Sequence, residues 1–229
     1  MNKKVCSVLA LVMSIFLTSC SQDEIREFDI PRGEEEHMHA VDLGLSVKWA
    51  CCNIGAEFPE EYGGYYAWGD PEEKDSCIWT RYKWHNDSTG EMIKYNGKDE
   101  KIVLDPSDDI AQIMWGEDWR MPTQAEMQEL MECCEWEWTS VNGVYGYKVS
   151  GNGNSIFLPA AGSQYEDLFT SQGTQGCYMS STLYSGDYEL EVCMGFNKKN
   201  YYTINSDRCD IIICGTHRRL PFFSSDFTC

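Results

Sequence analysis

Pro122-Thr123-Gln124-Ala125-Glu126-Met127-Gln128-Glu129-Leu130-Met131-Glu132-Cys133-Cys134-Glu135-Trp136-Glu137-Trp138-Thr139-Ser140-Val141-Asn142-Gly143-Val144 switches from a helical to an alternating hydrophobic period within one stretch. Thr123 and Glu126 form a capping box just after a proline, so a helix starts at Thr123. Met127, Leu130, Met131 and Cys134 recur at i, i+3, i+4 and i+7 and make one apolar stripe. Cys134 is therefore expected to face the core, with Cys133 about 100° around the axis. Glu135 to Thr139 alternates as a strand does. Asn142-Gly143 is a strong two-residue hairpin turn, and residues 144–149 are the return strand. Gly151-Asn152-Gly153-Asn154 turns again into residues 155–158.

Working outward, residues 47–54 read as a strand, which would send Cys51 and Cys52 to opposite faces. Tyr62-Gly63-Gly64-Tyr65-Tyr66-Ala67-Trp68-Gly69 reads as a short strand entering a loop. Residues 70–104 look loop-rich. A second, short helix is expected through Met114, with Asp105 as its cap and Pro106 in its first turn. The C-terminal part holds short runs rich in Tyr, Ile and Val between Gly, Asn, Asp and Ser. Two short helices among many strands give an α+β fold class. The sequence has no GxGxxG, P-loop, HExxH or GxSxG motif and no internal repeat.

The chain has 229 residues, enough for a sizeable core, and a formal net charge of −19. That charge argues against nucleic acid as a partner, because phosphate affinity comes from clustered Lys and Arg. Aromatic residues make up 13% of the chain, which argues against disorder.

Lys3 and Lys4 precede an apolar run over residues 5–17, of signal-peptide length and short of the ~20 residues a membrane span needs. Leu17-Thr18-Ser19-Cys20 resembles a bacterial lipobox. That resemblance implies cleavage before Cys20, diacylation of its thiol and a lipid-anchored mature chain, since more than one acyl chain makes anchoring stable. The short acidic stretch after Cys20 resembles an export signal to the outer face of the outer membrane. We therefore expect a signal peptide over residues 1–19, an acidic tether over 20–39 and a single domain over 40–229. His37 and His39 lie beside Glu34–Glu36 in that tether. A solvated linker accounts for them better than a metal site does, because nothing nearby completes a coordination shell.

Export changes what cysteine means. The even set that remains beyond Cys6 and Cys20 reads first as disulfides, whose connectivity spacing cannot supply. An inward Cys52 on its strand could meet Cys134 on its helix, so Cys52–Cys134 is the candidate disulfide. The competing reading is two buried thiols acting as small hydrophobes.

Asp42-Leu43-Gly44-Leu45-Ser46-Val47-Lys48-Trp49-Ala50, then Cys52-Asn53-Ile54-Gly55-Ala56, resembles the opening of the Fibrobacter succinogenes major paralogous domain family. Tyr66-Ala67-Trp68-Gly69, Trp119-Arg120-Met121-Pro122-Thr123-Gln124-Ala125-Glu126, Gly153-Asn154-Ser155-Ile156-Phe157-Leu158-Pro159-Ala160-Ala161-Gly162 and Ser180-Ser181-Thr182-Leu183 continue the likeness in order, over about residues 40–222. The resemblance implies a C-type-lectin-like fold, a twisted antiparallel sheet with two helices and long loops, in an exported or surface lipoprotein. The chain departs from the pattern at Met179, where an aromatic is usual, and at Gly215-Thr216-His217-Arg218-Arg219-Leu220-Pro221 near its end.

Three functions compete. The first is a non-enzymatic binding or adhesion module for a glycan or protein ligand. Trp79, Trp84, Tyr184, Tyr201 and Tyr202 are its candidate contact aromatics, with Trp68 and Tyr82 in the same loop segments. Core packing competes for each of them. No Glu-Pro-Asn or Trp-Asn-Asp triplet supports a calcium-dependent sugar site. The second is an enzyme, because Cys209 and Cys214 resemble the cysteine pair of formylglycine-generating oxidases. The residues flanking that family's pair are missing here, and a structural role for the two is favoured. The third is a structural accessory of a surface fibre or glycan-uptake assembly. The expectation is a surface-anchored lectin-like module with no catalytic residues, metal or cofactor.

Overall fold

The computed structural model describes residues 39–72, 78–165, 168–210, 212–213 and 217–218. Residues 1–38, on which the signal-peptide, Cys20 lipidation and tether expectations fall, lie outside the described residues, as do Cys77, Cys214 and Cys229. The chain is mostly antiparallel strands in several small sheets with few helices, as the α+β reading expects.

In chain order the first elements are β1 (Ala40–Val41), β2 (Lys48–Ala50), β3 (Tyr65–Tyr66), β4 (His85–Asn86) and β5 (Glu91–Met92). Helix α1 (Ile110–Trp115), β6 (Trp119–Arg120) and α2 (Gln124–Cys133) follow. Then come β7 (Glu135–Val141), β8 (Val144–Gly151), β9 (Asn154–Pro159), β10 (Ser163–Tyr165) and β11 (Leu168–Thr170). The last are β12 (Gln175–Leu183), β13 (Leu190–Asn197), β14 (Asn200–Asp207), β15 (Ile212–Ile213) and β16 (His217–Arg218).

The stretch from Thr123 onward folds as read. Thr123 caps α2, and the reciprocal Glu126 bond to the Thr123 backbone completes the box. Arg120 clamps the same Glu126 carboxylate with both terminal nitrogens. The helix ends at Cys133, and Cys134 is already extended. Asn142 (φ 48°) and Gly143 (φ 84°) make the β7–β8 turn, and Asn152 (φ 50°) and Gly153 (φ 75°) make the β8–β9 turn. Positive φ at both central residues is the type I′ geometry that matches strand twist.

Two expectations shift. The short helix is capped by Asp109, whose Oδ1 accepts from the Ala111 and Gln112 amides, and not by Asp105. Asp105 instead pairs with Lys94 and Lys101. The strand expected over residues 47–54 stops at Ala50, and the chain bends at Cys51 and Cys52.

β12 and β13 form the partition of the molecule. They sit inside the five-stranded sheet ordered β14-β13-β12-β15-β3, in which only β12–β15 is parallel. Side chains alternate between two faces, and each face meets its own core. Tyr178, Met194 and Phe196 join α2, the β7–β8–β9 sheet and Leu43–Trp49 in the first core. Met179, Leu183 and Cys193 join Trp68, Tyr95, Ile110 and Met121 in the second. Burial on both sides removes the polar half of the alternation. β14 is the outer strand of this sheet, and nearly all its residues are exposed.

Polar groups bind the loops to this partition. The fully buried Arg208 donates to the Tyr82 hydroxyl and to the carbonyls of Lys94, Tyr95 and Tyr188. Its guanidinium also lies 4.8 Å from the Trp68 ring centre. Asp108, 4% exposed, receives Lys83, Lys94 and the Tyr95 hydroxyl. Burial alone would raise its carboxyl, but those donors hold it below the ordinary aspartate value. A carboxyl depressed in the folded state stabilises above its unfolded value and loses that contribution as pH falls through the folded one. Asp108→Asn should therefore cost about 2–3 kcal/mol near neutrality, the worth of charged hydrogen bonds. In urea titrations its deficit against wild type should shrink as pH drops below about 4, the unfolded aspartate range.

Candidate functional site

The edges of two sheets meet along an aromatic seam. On β7, Trp136 and Trp138 are two residues apart and so share one face, and the hairpin register sets Trp138 opposite Tyr147. Across the junction, Tyr201 of β14 stacks on Trp136 with ring centres 4.4 Å apart and planes 25° apart. Tyr147 meets Trp136, Trp138 and Phe196 edge-on at 5.1–5.4 Å. Trp138 and Tyr145 lie nearly parallel, 8° apart, at 6.4 Å.

Hydrogen bonds fix this arrangement. The Trp136 indole N–H donates to the Leu130 carbonyl on α2, and the Tyr147 hydroxyl donates to the Asn197 carbonyl at the end of β13. The inner rings are thereby immobilised and the outer ones left open: Tyr145 is 52% and Tyr201 37% exposed, while Trp136 and Trp138 are half-buried. A pre-ordered row of ring faces binds a flat apolar surface with little conformational entropy left to lose.

Of the five candidate aromatics, only Tyr201 belongs to this seam. Tyr202, 37% exposed, points to the opposite face of β14, over Gly195. Tyr184, 39% exposed, follows β12. Trp79 packs edge-on against Tyr82 in a separate loop cluster. Trp84 donates its indole N–H to the Gly69 carbonyl and lies under Lys83 and Lys94. Trp68 and Tyr82 are core residues, 0% and 4% exposed. Trp136, Trp138 and Tyr145 lie on strands and not in the loop segments to which the candidate aromatics of the sequence belong. The available signal was a pair of tryptophans on one strand face, across an Asn-Gly turn from Tyr145 and Tyr147.

A separate polar cleft of about 450 Å³ lies at the end of α2, lined by Glu135, Lys148, Ser150, Asn152, Asn154 and Ser155 among others. It offers amides and hydroxyls but no ring face. Among the described residues, no three His, Cys, Asp or Glu side chains gather closely enough to hold a metal ion.

The expected Cys52–Cys134 disulfide is not formed, and each residue keeps its thiol. The physical reason is the early end of β2. The bend turns Cys52 toward Cys51, with sulfurs 3.9 Å apart, and the Cys52 sulfur also reaches the Ala56 carbonyl. Cys134 lies against Gly151 of β8 instead. Cys133, its neighbour, is disulfide-bonded.

Hydrogen bonding with Cys52 outweighs burial and lowers the partly exposed Cys51 thiol to about 6. Burial, with Glu129 nearby, pushes Cys134 up to about 11. The thiolate is the reactive form. Iodoacetamide at pH 7 should therefore modify Cys51 at least tenfold faster than Cys134, as read by peptide mass mapping of short time points. Equal rates would contradict this assignment.

Compared with known proteins, the chain matches no family model, no curated protein and no solved structure.

Proposed function

We propose that the protein is a surface-anchored lipoprotein acting as a non-enzymatic binding module, and that a neutral glycan chain lies along the Trp136–Tyr201 seam. The observation that carries this reading is the stacked and open row of rings at the junction of two sheet edges. Sugar rings present flat C–H faces that suit such a row, and a rigid aromatic platform supplies contact area at low entropic cost. The net charge of −19 favours a neutral ligand over an acidic one. The adjoining turns and loops can vary without disturbing either core.

The finer fold assignment belongs to the same proposal. The ordered strings from Asp42 to Leu183 support a C-type-lectin-like domain of the Fibrobacter succinogenes major paralogous type. The antiparallel strands and the two α-helices among the described residues are compatible with it. Anchoring at the outer membrane through acylated Cys20 rests on the Leu17-Thr18-Ser19-Cys20 string and the acidic residues after it. The oxidase-like reading has weaker support, since Cys209 is 5% exposed among Ala67, Tyr82 and Met92.

Binding is tested with a glycan array on the soluble chain, followed by titration of the best neutral oligosaccharide against tryptophan fluorescence. Tyr201→Ala should weaken binding roughly tenfold, about the 1.4 kcal/mol of one aromatic contact, with the far-ultraviolet spectrum unchanged. Undiminished binding by both Tyr201→Ala and Trp138→Ala would remove the seam from the reading. Anchoring is checked separately by mass spectrometry of the mature N-terminus, which should be diacylated at Cys20. Cys20→Ser should release the chain from the membrane fraction.

A further inference from the structure

The partition strands hold a cluster that binding at the rim does not use. Glu191 on β13 is fully buried, and neither carboxyl oxygen has a hydrogen-bond partner among the described residues. Burying a carboxyl without a partner is costly, so its presence calls for a reason. Glu191 and Cys193 are two residues apart on β13 and share a face. Cys193 stands opposite Met179 of β12, and Cys177 is its diagonal neighbour on that same face. Cys193 is 1% exposed, Cys177 is half-buried, and neither is in a disulfide. The Cys193 thiol interacts with both Cys177 and Glu191.

The surroundings leave Glu191 to the thiols. Leu183 faces it on β12 and Ser206 on β14. The Ser206 hydroxyl donates to Asp210, and Arg208 directs its donors to Tyr82, Lys94, Tyr95 and Tyr188. The titratable and charged groups around Glu191 are therefore Cys177, Cys193, Tyr82, Arg208 and Asp210. Burial, then Cys177 and Asp210, raise the Glu191 carboxyl well above its ordinary value, against the pull of Arg208. Burial raises the Cys193 thiol as well, so a bare thiolate there is disfavoured. Two buried thiols alone would be inert packing; the carboxyl beside them, which meets the Cys193 thiol, gives the inner one somewhere to send its proton.

We propose that Cys177 and Cys193 are a dithiol–disulfide couple that exchanges with low-molecular-weight disulfides, with Glu191 carrying the proton of the inner thiol. Cys177, the more exposed, loses its proton to solvent, and its sulfur attacks one sulfur of the incoming disulfide. That S–S bond breaks, a mixed disulfide forms on Cys177, and the displaced thiolate takes a proton from water. In the molecules whose Glu191 is ionised, the raised proton affinity of that carboxylate makes it a fit base for a thiol, and Cys193 passes its proton to it and attacks the Cys177 sulfur. The second thiolate leaves and is protonated by water, and the Cys177–Cys193 bond closes. Two electrons have passed from the protein dithiol to the incoming disulfide, which becomes two thiols. In the reverse direction Glu191 returns its proton to the departing Cys193 sulfur.

The test uses the purified full chain, reduced and then placed in oxidised glutathione between pH 6 and 8. Closure is read as a Cys177–Cys193 linked peptide after quenching with an alkylating agent. The linked peptide should accumulate in the wild type and be absent from Cys177→Ser. Glu191→Gln should close at least tenfold more slowly and with a flatter pH profile, at an unchanged circular dichroism spectrum. If Glu191→Gln does not fold, Cys193→Ser decides, because it must trap glutathione on Cys177. A folded wild type whose two thiols stay unlinked would overturn the proposal. So would a Glu191→Gln variant with wild-type rate and pH profile, or a Cys193→Ser variant that captures no glutathione.

Discussion

The guanidinium of Arg208 is the contact on which the loop-rich half of the molecule depends. It is 0% exposed, and an arginine without solvent must replace every lost water contact with a protein acceptor. Its acceptors come from three separate stretches: the Tyr82 hydroxyl, the Lys94 and Tyr95 carbonyls, and the Tyr188 carbonyl. Trp68, Tyr82 and Tyr95 turn their rings toward its charge. One side chain therefore ties the long connection between β3 and α1 to the turn that precedes β13. Tyr95 follows from the same constraint. It holds φ at 57°, a conformation bulky residues rarely adopt, while its carbonyl meets Arg208 and its hydroxyl meets Asp108.

This arrangement explains how few regular elements can enclose two cores. The first core is built conventionally, from a capped helix and a hairpin sheet laid on one face of β12 and β13. The second covers the opposite face largely with loops. Loops carry unpaired backbone groups, and burying them requires side-chain partners. Arg208, Asp108 and Asp109 are those partners, each serving several backbone or side-chain groups at once. The seam and the thiol cluster lie at opposite faces of the same two strands. Tyr178, Met194 and Phe196 face the seam side, while Met179, Glu191 and Cys193 face the other.

Legibility in the sequence followed the range of the interactions. The α2 cap, the helix stripe and both Asn-Gly turns depend on residues within four positions of one another, so the one-dimensional pattern contains them. Asp109 displaced Asp105 as a cap because its carboxylate also receives the Met121 amide, twelve residues on. β12 and β13 showed no alternation because both their faces are buried, which leaves no polar phase to read. Tyr201 was found and its partner Trp136 was not, since the stack joins strands more than sixty positions apart.

From local chemistry alone the sequence determined the α+β class, the start of α2, the two tight turns and the acidic character of the chain. It also carried the string around Cys20 on which the anchoring proposal rests. Only the tertiary structure decided which cysteines approach one another, which tryptophans stay in the core and where Glu191 is buried. Those outcomes depend on strand register and on where β2 ends, and a one-residue difference in either turns a side chain to the other face.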